Sequence, residues 1–286
     1  MLKKKKKRST QVSGLIVAVL TPFTDTNSID RKALAKHLAF LHDHNVETIL
    51  LNGTAGEFFS LTQEEKKTLV KAARGNFPGT IILQAGSDSL LDSIDLARYG
   101  EETGVDFIAS LPPYYLANAP KQGIIDYFNC IAGSISLPFI LYNFPKHTQL
   151  SINPEIVAAV SHYGVKDSSA TLSLAKYTRR YFIGSDKNII KAYKIGASGF
   201  ISARANFFPE LYVFLEKALN EQNIAKARAI HKEIIALADR YAGPNQIAMM
   251  KYALTKRLSS YPTKVRLPLI QLGTEEIKML GNAFYK

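Results

Sequence analysis

A lysine closes one of the short apolar runs of this chain, Gly164-Val165-Lys166. Burial at the end of such a run disfavours the ammonium form and lowers the pKa of the amine. A neutral amine can attack a ketone carbonyl and form a Schiff base, so Lys166 is a candidate nucleophile. The alternative is a structural lysine that extends to solvent or pairs with the neighbouring Asp167.

A tight turn, Gly53-Thr54-Ala55-Gly56, follows another apolar run. Its backbone N–H groups are suited to holding a carboxylate. The turn is not a G-x-G-x-x-G fingerprint and lacks the lysine of a phosphate-binding loop, so it does not indicate a nucleotide. A simple connection between a strand and a helix is the alternative for this segment.

Three hydroxyl groups also follow apolar runs, those of Thr54, Tyr115 and Tyr142. A phenol can accept and return the proton of a substrate hydroxyl beside an imine, so these residues are candidates for a proton relay. Half-buried tyrosines with a satisfied hydroxyl are common, and packing alone is the alternative. The relay requires a fold that brings the ends of the runs together.

Eight such runs, rich in Ile, Val, Leu and Phe, recur without alternating with polar residues, which is typical of parallel strands buried on both faces. Amphipathic segments separate them throughout, and this rhythm favours a closed (β/α)₈ TIM barrel of the α/β class over an open sheet. Active sites of such barrels lie at the carboxyl ends of the strands. The predicted strands are Leu15–Leu20, Thr48–Leu51, Thr80–Gln84, Asp106–Ser110, Pro138–Tyr142, Gly164–Lys166, Tyr181–Ile183 and Ser198–Ser202.

Helix-start signals lie between the predicted strands. Thr62 and Glu65 form a capping box ahead of Lys66–Ala73, and Asp30 precedes the helical stretch Arg31–His44. We expect a barrel over residues 14–221 and a helical extension packed on it over residues 222–286. The helices predicted in the extension are Asn223–Tyr241, Gln246–Leu258 and Glu275–Phe284.

The net charge of +12 is concentrated at the start of the chain, where residues 3–8 carry six positive charges and leave +6 for the rest. Like charges repel one another, so residues 1–13 are expected to form a disordered tail. The tail has no interleaved aromatic residues, and nucleic acid is not expected as a partner. No apolar run is long enough to span a membrane, and the run after the tail lacks a signal-peptide cleavage site, so the expected location is the cytoplasm.

Neither cysteine nor histidine patterns indicate a metal. The single cysteine, Cys130, is expected to be a packed and inert thiol on a helix face. A metal-dependent aldolase would need several histidines brought together as ligands. Only His147 follows a predicted strand, and no two histidines form an i, i+4 pair among His37, His42, His44, His147, His162 and His231.

Six segments of the chain, in their order and spacing, match the motifs of a known family. They are Val17-Ala18-Val19-Leu20-Thr21-Pro22-Phe23, Gly53-Thr54-Ala55-Gly56-Glu57, Pro113-Tyr114-Tyr115, Leu141-Tyr142-Asn143-Phe144-Pro145, Gly164-Val165-Lys166-Asp167 and Gly199-Phe200-Ile201-Ser202. From Gly14 to about Leu272 the chain resembles the dihydrodipicolinate synthase / N-acetylneuraminate lyase family of class I aldolases.

This resemblance implies catalytic roles. Lys166 would be the Schiff-base lysine, and Tyr142 would be the proton shuttle that also orients pyruvate. Thr54 and Tyr115 would complete the relay, with Tyr115 serving the site of a neighbouring subunit. The family implies a homotetramer built as a dimer of dimers. It requires no cofactor, since the imine on Lys166 does the chemistry.

The resemblance also implies how the substrate would be bound. The turn from Gly53 would hold the 2-oxo-acid carboxylate through the amides of Thr54 and Ala55, and the Ile201 carbonyl would line the pocket. Three further residues are candidates to contact distal hydroxyls or a carboxylate, namely His147, Ser168 and Arg204.

Departures from the synthase pattern bear on the substrate. The synthases have an arginine where this chain has His147 and a second threonine where it has Ala55. Histidine offers at most a single, pH-dependent contact to a carboxylate. Gly56-Glu57-Phe58 and Tyr142-Asn143-Phe144-Pro145 look more like the branch that cleaves 2-keto-3-deoxy sugar acids such as 2-keto-3-deoxygluconate. Dihydrodipicolinate synthase is the alternative, and a non-catalytic protein that binds a 2-oxo acid is the second.

Overall fold

The computed structural model describes residues 11–283. Eight parallel strands form a closed barrel in sequence order, with β1 paired to β8. The predicted (β/α)₈ barrel is therefore confirmed, and each predicted run overlaps one strand. The strands are β1 Gly14–Ala18, β2 Thr48–Leu51, β3 Thr80–Gln84, β4 Phe107–Ser110, β5 Phe139–Asn143, β6 Gly164–Asp167, β7 Tyr181–Ile183 and β8 Gly199–Ser202.

Helices surround the barrel, and none within residues 11–283 is long and apolar enough to cross a membrane. The capping box of Thr62 and Glu65 is present at the start of α2. The helices are α1 Arg31–Asp43, α2 Gln63–Asn76, α3 Leu90–Thr103, α4 Lys121–Gly133, α5 Pro145–Thr148, α6 Pro154–Ala159, α7 Ile189–Lys194, α8 Pro209–Asn220, α9 Ile224–Arg240, α10 Gln246–Thr255 and α11 Thr274–Ala283. The helix α10 ends three residues before the predicted Leu258, and Phe284 lies outside the described residues.

Side chains of each strand alternate between the barrel interior and the layer beneath the helices. Ile140 packs with the interior side chains, whereas Leu141 and Val165 pack in the outer layer. Tyr142 and Lys166 follow in alternation and are Cα partners across β5 and β6. Both side chains therefore point into the barrel at the carboxyl ends of adjacent strands.

Asn206 secures the seam where the barrel closes. This fully buried residue follows β8, and its Nδ2 donates to the carbonyl of Ala18 at 2.7 Å. Its Oδ1 accepts the backbone N–H of Leu20 at 3.3 Å. One amide side chain thus satisfies a backbone carbonyl at the end of β1 and a backbone N–H two residues beyond it.

Val12 lies at the floor of the barrel, the end formed by the amino ends of the strands. Its side chain is 4% exposed, and its N–H donates to the Tyr163 hydroxyl at 2.9 Å. Tyr163 immediately precedes β6 and packs edge-on against Phe107, the first residue of β4. Residues 1–10 of the predicted tail lie outside the described residues, whereas Val12 belongs to the barrel core.

Cys130 is exposed, so the prediction of a packed thiol is wrong. The buried face of α4 is formed by Ile124, Phe128 and Ile131 among others. Cys130 follows Phe128 by two positions, which on an α-helix turns its side chain about 200° away. The thiol therefore faces outward although Phe128, Ile131 and Ala132 close to it in sequence are apolar.

Candidate active site

Lys166 lies in the barrel interior near the carboxyl end of β6 and is 4% exposed. Its Nζ lies 3.1 Å from the centroid of the Tyr142 ring and donates to Ser168 Oγ at 3.3 Å. Burial holds the pKa of Lys166 well below its usual range, and the neighbouring Asp167 carboxylate opposes this effect. The site therefore favours a neutral amine, the form that can attack a carbonyl.

Tyr142 lies beside the amine and links it to the glycine-containing turn. Its hydroxyl is 3.4 Å from Thr54 Oγ1, and its ring stacks on that of Phe144 with centroids 6.0 Å apart. Burial raises the pKa of Tyr142 to about 12, although contacts with the Thr54 and Ser168 hydroxyls oppose the rise. The phenol thus holds its proton at neutral pH and can exchange it with a neighbouring hydroxyl.

The turn after β2 forms a single 3₁₀ turn, Thr54–Gly56, that begins from an extended Gly53. The N–H of Gly56 donates back to the Gly53 carbonyl at 3.0 Å, and Ala55 is buried. Thr21 Oγ1 donates to the carbonyl of Gly56 at 2.7 Å. The turn is thereby fixed on one side while the Thr54 hydroxyl faces Tyr142.

Two further predicted substrate residues lie near the amine. Ser168 follows β6, and its hydroxyl occupies space left by Gly184, where a Cβ would come within 2.2 Å of Ser168 Oγ. His147 lies on α5 at the surface with its ring packed edge-on against Phe144, the centroids 4.3 Å apart. Partial desolvation and the positive charge of Lys146 lower the pKa of His147, so the imidazole is mainly neutral at pH 7.

The other predicted residues have different surroundings. Ile201 is buried in β8 among the interior side chains. The Arg204 guanidinium contacts the Asp186 carboxylate at 3.3 Å and the Tyr241 carbonyl at 3.0 Å, which directs it toward the end of α9. Tyr115 is 89% exposed and does not join Lys166 within one chain.

A buried carboxylate lies behind the site and is not among the predicted catalytic or substrate-binding residues. Asp167 points outward from β6 and accepts hydrogen bonds from Asn143 Nδ2 at 2.9 Å and from the Tyr181 hydroxyl at 2.8 Å. The backbone N–H of Ser169 donates to it at 2.8 Å. These donors compensate for the loss of water around the charge and tie β6 to β5 and β7. Asp167 belongs to the motif Gly164-Val165-Lys166-Asp167, but the sequence does not reveal which groups donate hydrogen bonds to its carboxylate.

A buried ion pair is the second feature that the sequence does not reveal. Lys251 of α10 donates to Glu57 Oε1 at 2.5 Å, and both side chains are 0% exposed. Glu57 ends the glycine-containing turn, whereas Lys251 lies 194 residues further along the chain within an apolar helical segment. No local pattern connects two residues at that separation.

Metal ligands are not clustered in the part of the chain that the structure describes: no group of three or more His, Cys, Asp and Glu side chains could hold an ion. A cleft between α7 and α8 opens at the floor, beside Gly14 and Glu216, and holds none of the predicted site residues. Lys166, Tyr142 and Thr54 lie instead at the carboxyl end of the barrel. A neutral amine, a phenol and a hydroxyl meet there, a set suited to imine formation and proton transfer.

Known proteins share this sequence pattern over nearly its whole length. The dihydrodipicolinate synthetase family pattern matches residues 11–284. A 4-hydroxy-tetrahydrodipicolinate synthase of Staphylococcus epidermidis is 32% identical, and the alignment covers 95% of each chain. A probable 2-dehydro-3-deoxy-D-pentonate aldolase of Escherichia coli is 30% identical over 93% of this chain and 94% of its own.

Solved structures share the fold. A prophage protein of Escherichia coli K12, which belongs to the dihydrodipicolinic acid synthase family and was crystallised with pyruvate, superposes with a TM-score of 0.90. It is 25% identical, and the match covers 96% of this chain and 97% of that one.

Proposed function

This chain belongs to the dihydrodipicolinate synthetase family of pyruvate-dependent class I lyases, and we propose that it acts on a 2-keto-3-deoxy sugar acid through a Schiff base on Lys166. The observation that carries the proposal is the buried Lys166 amine, 3.1 Å from the Tyr142 ring centroid. Burial lowers the pKa of this amine and so favours the uncharged form, which is the form that attacks the C2 ketone.

The proposed reaction begins with the amine of Lys166. It adds to C2 and loses water to form an iminium, which accepts the electron pair as the C3–C4 bond breaks. Tyr142 receives the proton of the C4 hydroxyl while its own proton passes to Thr54 Oγ1, 3.4 Å away, and Thr54 in turn releases its hydroxyl proton to water at the mouth of the barrel. The aldehyde leaves, the enamine is protonated at C3, and water hydrolyses the imine to release pyruvate and the free amine. The reverse sequence joins pyruvate to an aldehyde.

His147 favours a sugar acid over aspartate semialdehyde. A neutral imidazole presents one donor and one acceptor, which suits hydroxyl groups, whereas the aspartate semialdehyde carboxylate would be bound best by a bidentate guanidinium. The pentonate named for the Escherichia coli relative is itself a 2-keto-3-deoxy sugar acid. Arg204 has no part in this proposal, because Asp186 and the end of α9 occupy its guanidinium.

Condensation of pyruvate with aspartate semialdehyde is the second candidate, because the Staphylococcus epidermidis relative carries the synthase name at 32% identity. The two candidates are separated by measuring cleavage of a panel of 2-keto-3-deoxy acids beside condensation with aspartate semialdehyde. We expect kcat/KM to be highest for one of the sugar acids. Dominant turnover of aspartate semialdehyde would establish the synthase instead.

The imine is tested by incubating the protein with pyruvate and borohydride and mapping the adduct by mass spectrometry. One reduced pyruvate is expected on Lys166, and none in Lys166→Ala. Lys187→Ala, a change at an exposed lysine on the surface, should leave the adduct in place. If the native chain forms no adduct, it is a 2-oxo-acid-binding relative and not a lyase of this mechanism.

The role of His147 is tested by His147→Arg, which should lower kcat/KM for the sugar acid and raise it for aspartate semialdehyde. The matched control is His42→Arg, which adds the same charge at an exposed position near the end of α1. An equal effect of both substitutions, or none of either, would exclude a distal substrate contact for His147.

The proposal includes self-association as a homotetramer, a dimer of dimers. Tyr115 and the adjacent Leu116 are 89% and 56% exposed, an unusual exposure for two large side chains in succession. Their loop is held by Asp88, whose Oδ1 accepts the N–H of Tyr115 at 2.8 Å. An exposed phenol on a fixed loop is suited to enter the site of a second copy.

A further inference from the structure

The ion pair between Glu57 and Lys251 is buried at considerable electrostatic cost. Both side chains are 0% exposed, and apolar residues of similar volume would often fill such a place with equal or greater stability. The pair is nevertheless well satisfied. Lys251 Nζ also donates to the Lys264 carbonyl at 2.6 Å and lies 4.4 Å from the centroid of the Phe23 ring. Because burying this ion pair is costly, we expect its role to lie in the backbone conformation that it holds.

Glu57 occupies the point where the backbone reverses beside the site. Its φ is 57° and its ψ is 36°, a left-handed conformation that residues other than glycine, asparagine and aspartate seldom adopt. It ends the 3₁₀ turn Thr54–Gly56 and precedes a second one, Phe58–Ser60. Such a conformation persists only when the surroundings determine it.

The carboxylate of Glu57 is held from two sides, both in the carboxyl-terminal part of the chain. Lys251 donates to Oε1 at 2.5 Å, and the backbone N–H of Arg266 donates to Oε2 at 3.0 Å. Arg266 is itself anchored to Glu65 of α2 and to the Ser60 carbonyl. The extension therefore clamps the residue that ends the turn.

The turn carries the group that meets the phenol. Thr54 lies three residues before Glu57, and its Oγ1 is 3.4 Å from the Tyr142 hydroxyl. We propose that Glu57 and Lys251 are positioning residues for the lyase reaction, and that their ion pair holds the turn so that Thr54 stays within proton-transfer reach of Tyr142. This inference rests on the proposed function, because it assigns the relay to Tyr142 and Thr54.

The test uses the full-length protein and pyruvate alone. Exchange of the C3 protons of pyruvate in D₂O, followed by NMR, reports imine formation together with proton transfer, whereas borohydride trapping reports the imine. We expect Lys251→Met to slow exchange about 10- to 100-fold at saturating pyruvate, while trapping on Lys166 is retained. The expected loss corresponds to part of what general acid–base catalysis contributes.

A double-mutant cycle identifies the route of the effect. If Lys251 acts through Thr54, Lys251→Met should cause little further loss in a Thr54→Val background. The inference would be overturned if the losses of exchange rate caused by Lys251→Met and by Thr54→Val multiply independently in the double mutant. It would also be overturned if Lys251→Met leaves the exchange rate unchanged. Should Lys251→Met fail to fold, Glu57→Gln is of nearly equal volume and is measured in the same cycle.

The matched control is Arg74→Met. Arg74 pairs with Asp106 at 3.3 Å at the floor of the barrel, so this substitution also breaks an ion pair but far from Tyr142. It should lower the free energy of unfolding and leave exchange unchanged. Absence of any adduct in the native chain would defeat the proposed function, whereas trapping and exchange that survive Lys251→Met would defeat the positioning role alone.

Discussion

Lys166 and Asp167 are neighbours in sequence, yet they face opposite sides of the same strand. The lysine points into the barrel, where burial lowers its pKa, and the aspartate points outward to Asn143 and Tyr181. Asp167 therefore acts on the amine through its charge and not through a hydrogen bond. Its negative charge opposes the lowering of the Lys166 pKa.

The effect of the Asp167 charge on the Lys166 pKa can be tested by the pH dependence of the reaction. In Asp167→Asn the Lys166 pKa should fall further, because the ammonium form loses the stabilising carboxylate. A larger fraction of the amine is then neutral at low pH, so the acid limb of kcat/KM should shift to lower pH, by about one unit. The measurement is the pH profile of kcat/KM or of borohydride trapping.

The control for this profile is Glu155→Gln, which removes a carboxylate from an exposed position on α6. Its profile should match that of the native protein. A shift of the acid limb of Asp167→Asn toward higher pH would contradict the assigned sign of the charge effect.

The sequence predicts those site residues that belong to contiguous motifs. Lys166, Tyr142 and Thr54 each follow an apolar run, so the barrel rule alone brings them to one end of the fold. The barrel rule does not predict the role of Lys251, whose only signal in the sequence is a lone lysine in an apolar helical segment. It also does not predict the hydrogen bonds that Asp167 accepts on the outer side of β6. Those interactions arise from tertiary contacts between distant parts of the chain.

At the scale of elements, the barrel depends on the joint between its first and last strands. Asn206 bridges the Ala18 carbonyl and the Leu20 N–H, and it is completely buried. Asn206→Ala should leave both backbone groups without a partner in a dry environment and lower the free energy of unfolding by about 2–4 kcal/mol. Chemical denaturation followed by circular dichroism measures the change.

Asn129→Ala provides the comparison for this substitution. Asn129 donates to the Ala159 carbonyl at 3.3 Å from an exposed position on α4, so its loss should cost less than about 0.5 kcal/mol. Equal costs at both positions would show that the seam does not depend on Asn206.

Strands were easier to predict than the short elements between them. Apolar runs such as Thr48–Leu51 coincide with strands because burial on both faces leaves a continuous signal. The four-residue helix α5 and the 3₁₀ turn Thr54–Gly56 are too short to show a helical period. Cys130 was misplaced because the apolar residues around it do not by themselves fix which side of α4 faces the core.

At the scale of the whole molecule, His37 links stability to pH. It is completely buried in α1 against the Tyr261 ring, and burial lowers its pKa from 6.5 to about 3. Between these values the unfolded chain binds one more proton than the folded protein. The contribution of the neutral His37 to the free energy of unfolding is therefore complete above pH 6.5 and is lost as the pH falls toward 3.

The expected slope is about 1.4 kcal/mol of unfolding free energy per pH unit below pH 6. His37→Leu should remove this component, and denaturation at several pH values between 4 and 7 would measure it. His42→Leu changes an exposed histidine of the same helix and should retain the native slope. Identical slopes in all three proteins would refute a buried neutral imidazole.

Association can be tested by complementation. We expect a mass close to four times 31.7 kDa in sedimentation experiments. Tyr115→Ala and Lys166→Ala chains should each be inactive alone. If Tyr115 serves a neighbouring site, mixed and reassembled subunits should recover activity, because one site then combines an intact Lys166 with a Tyr115 from the other chain. No recovery in mixed oligomers would place Tyr115 outside the relay.

Val12 packs among the core side chains at the floor of the barrel, and this position affects how the protein can be attached to a support. Val12 lies on the side of the barrel opposite the mouth where Lys166 lies. A tether joined directly to Gln11 in place of residues 1–10 should therefore present the mouth to solution and leave the diffusion of small acids unhindered. Immobilisation through that end is the natural way to fix this catalyst to a support.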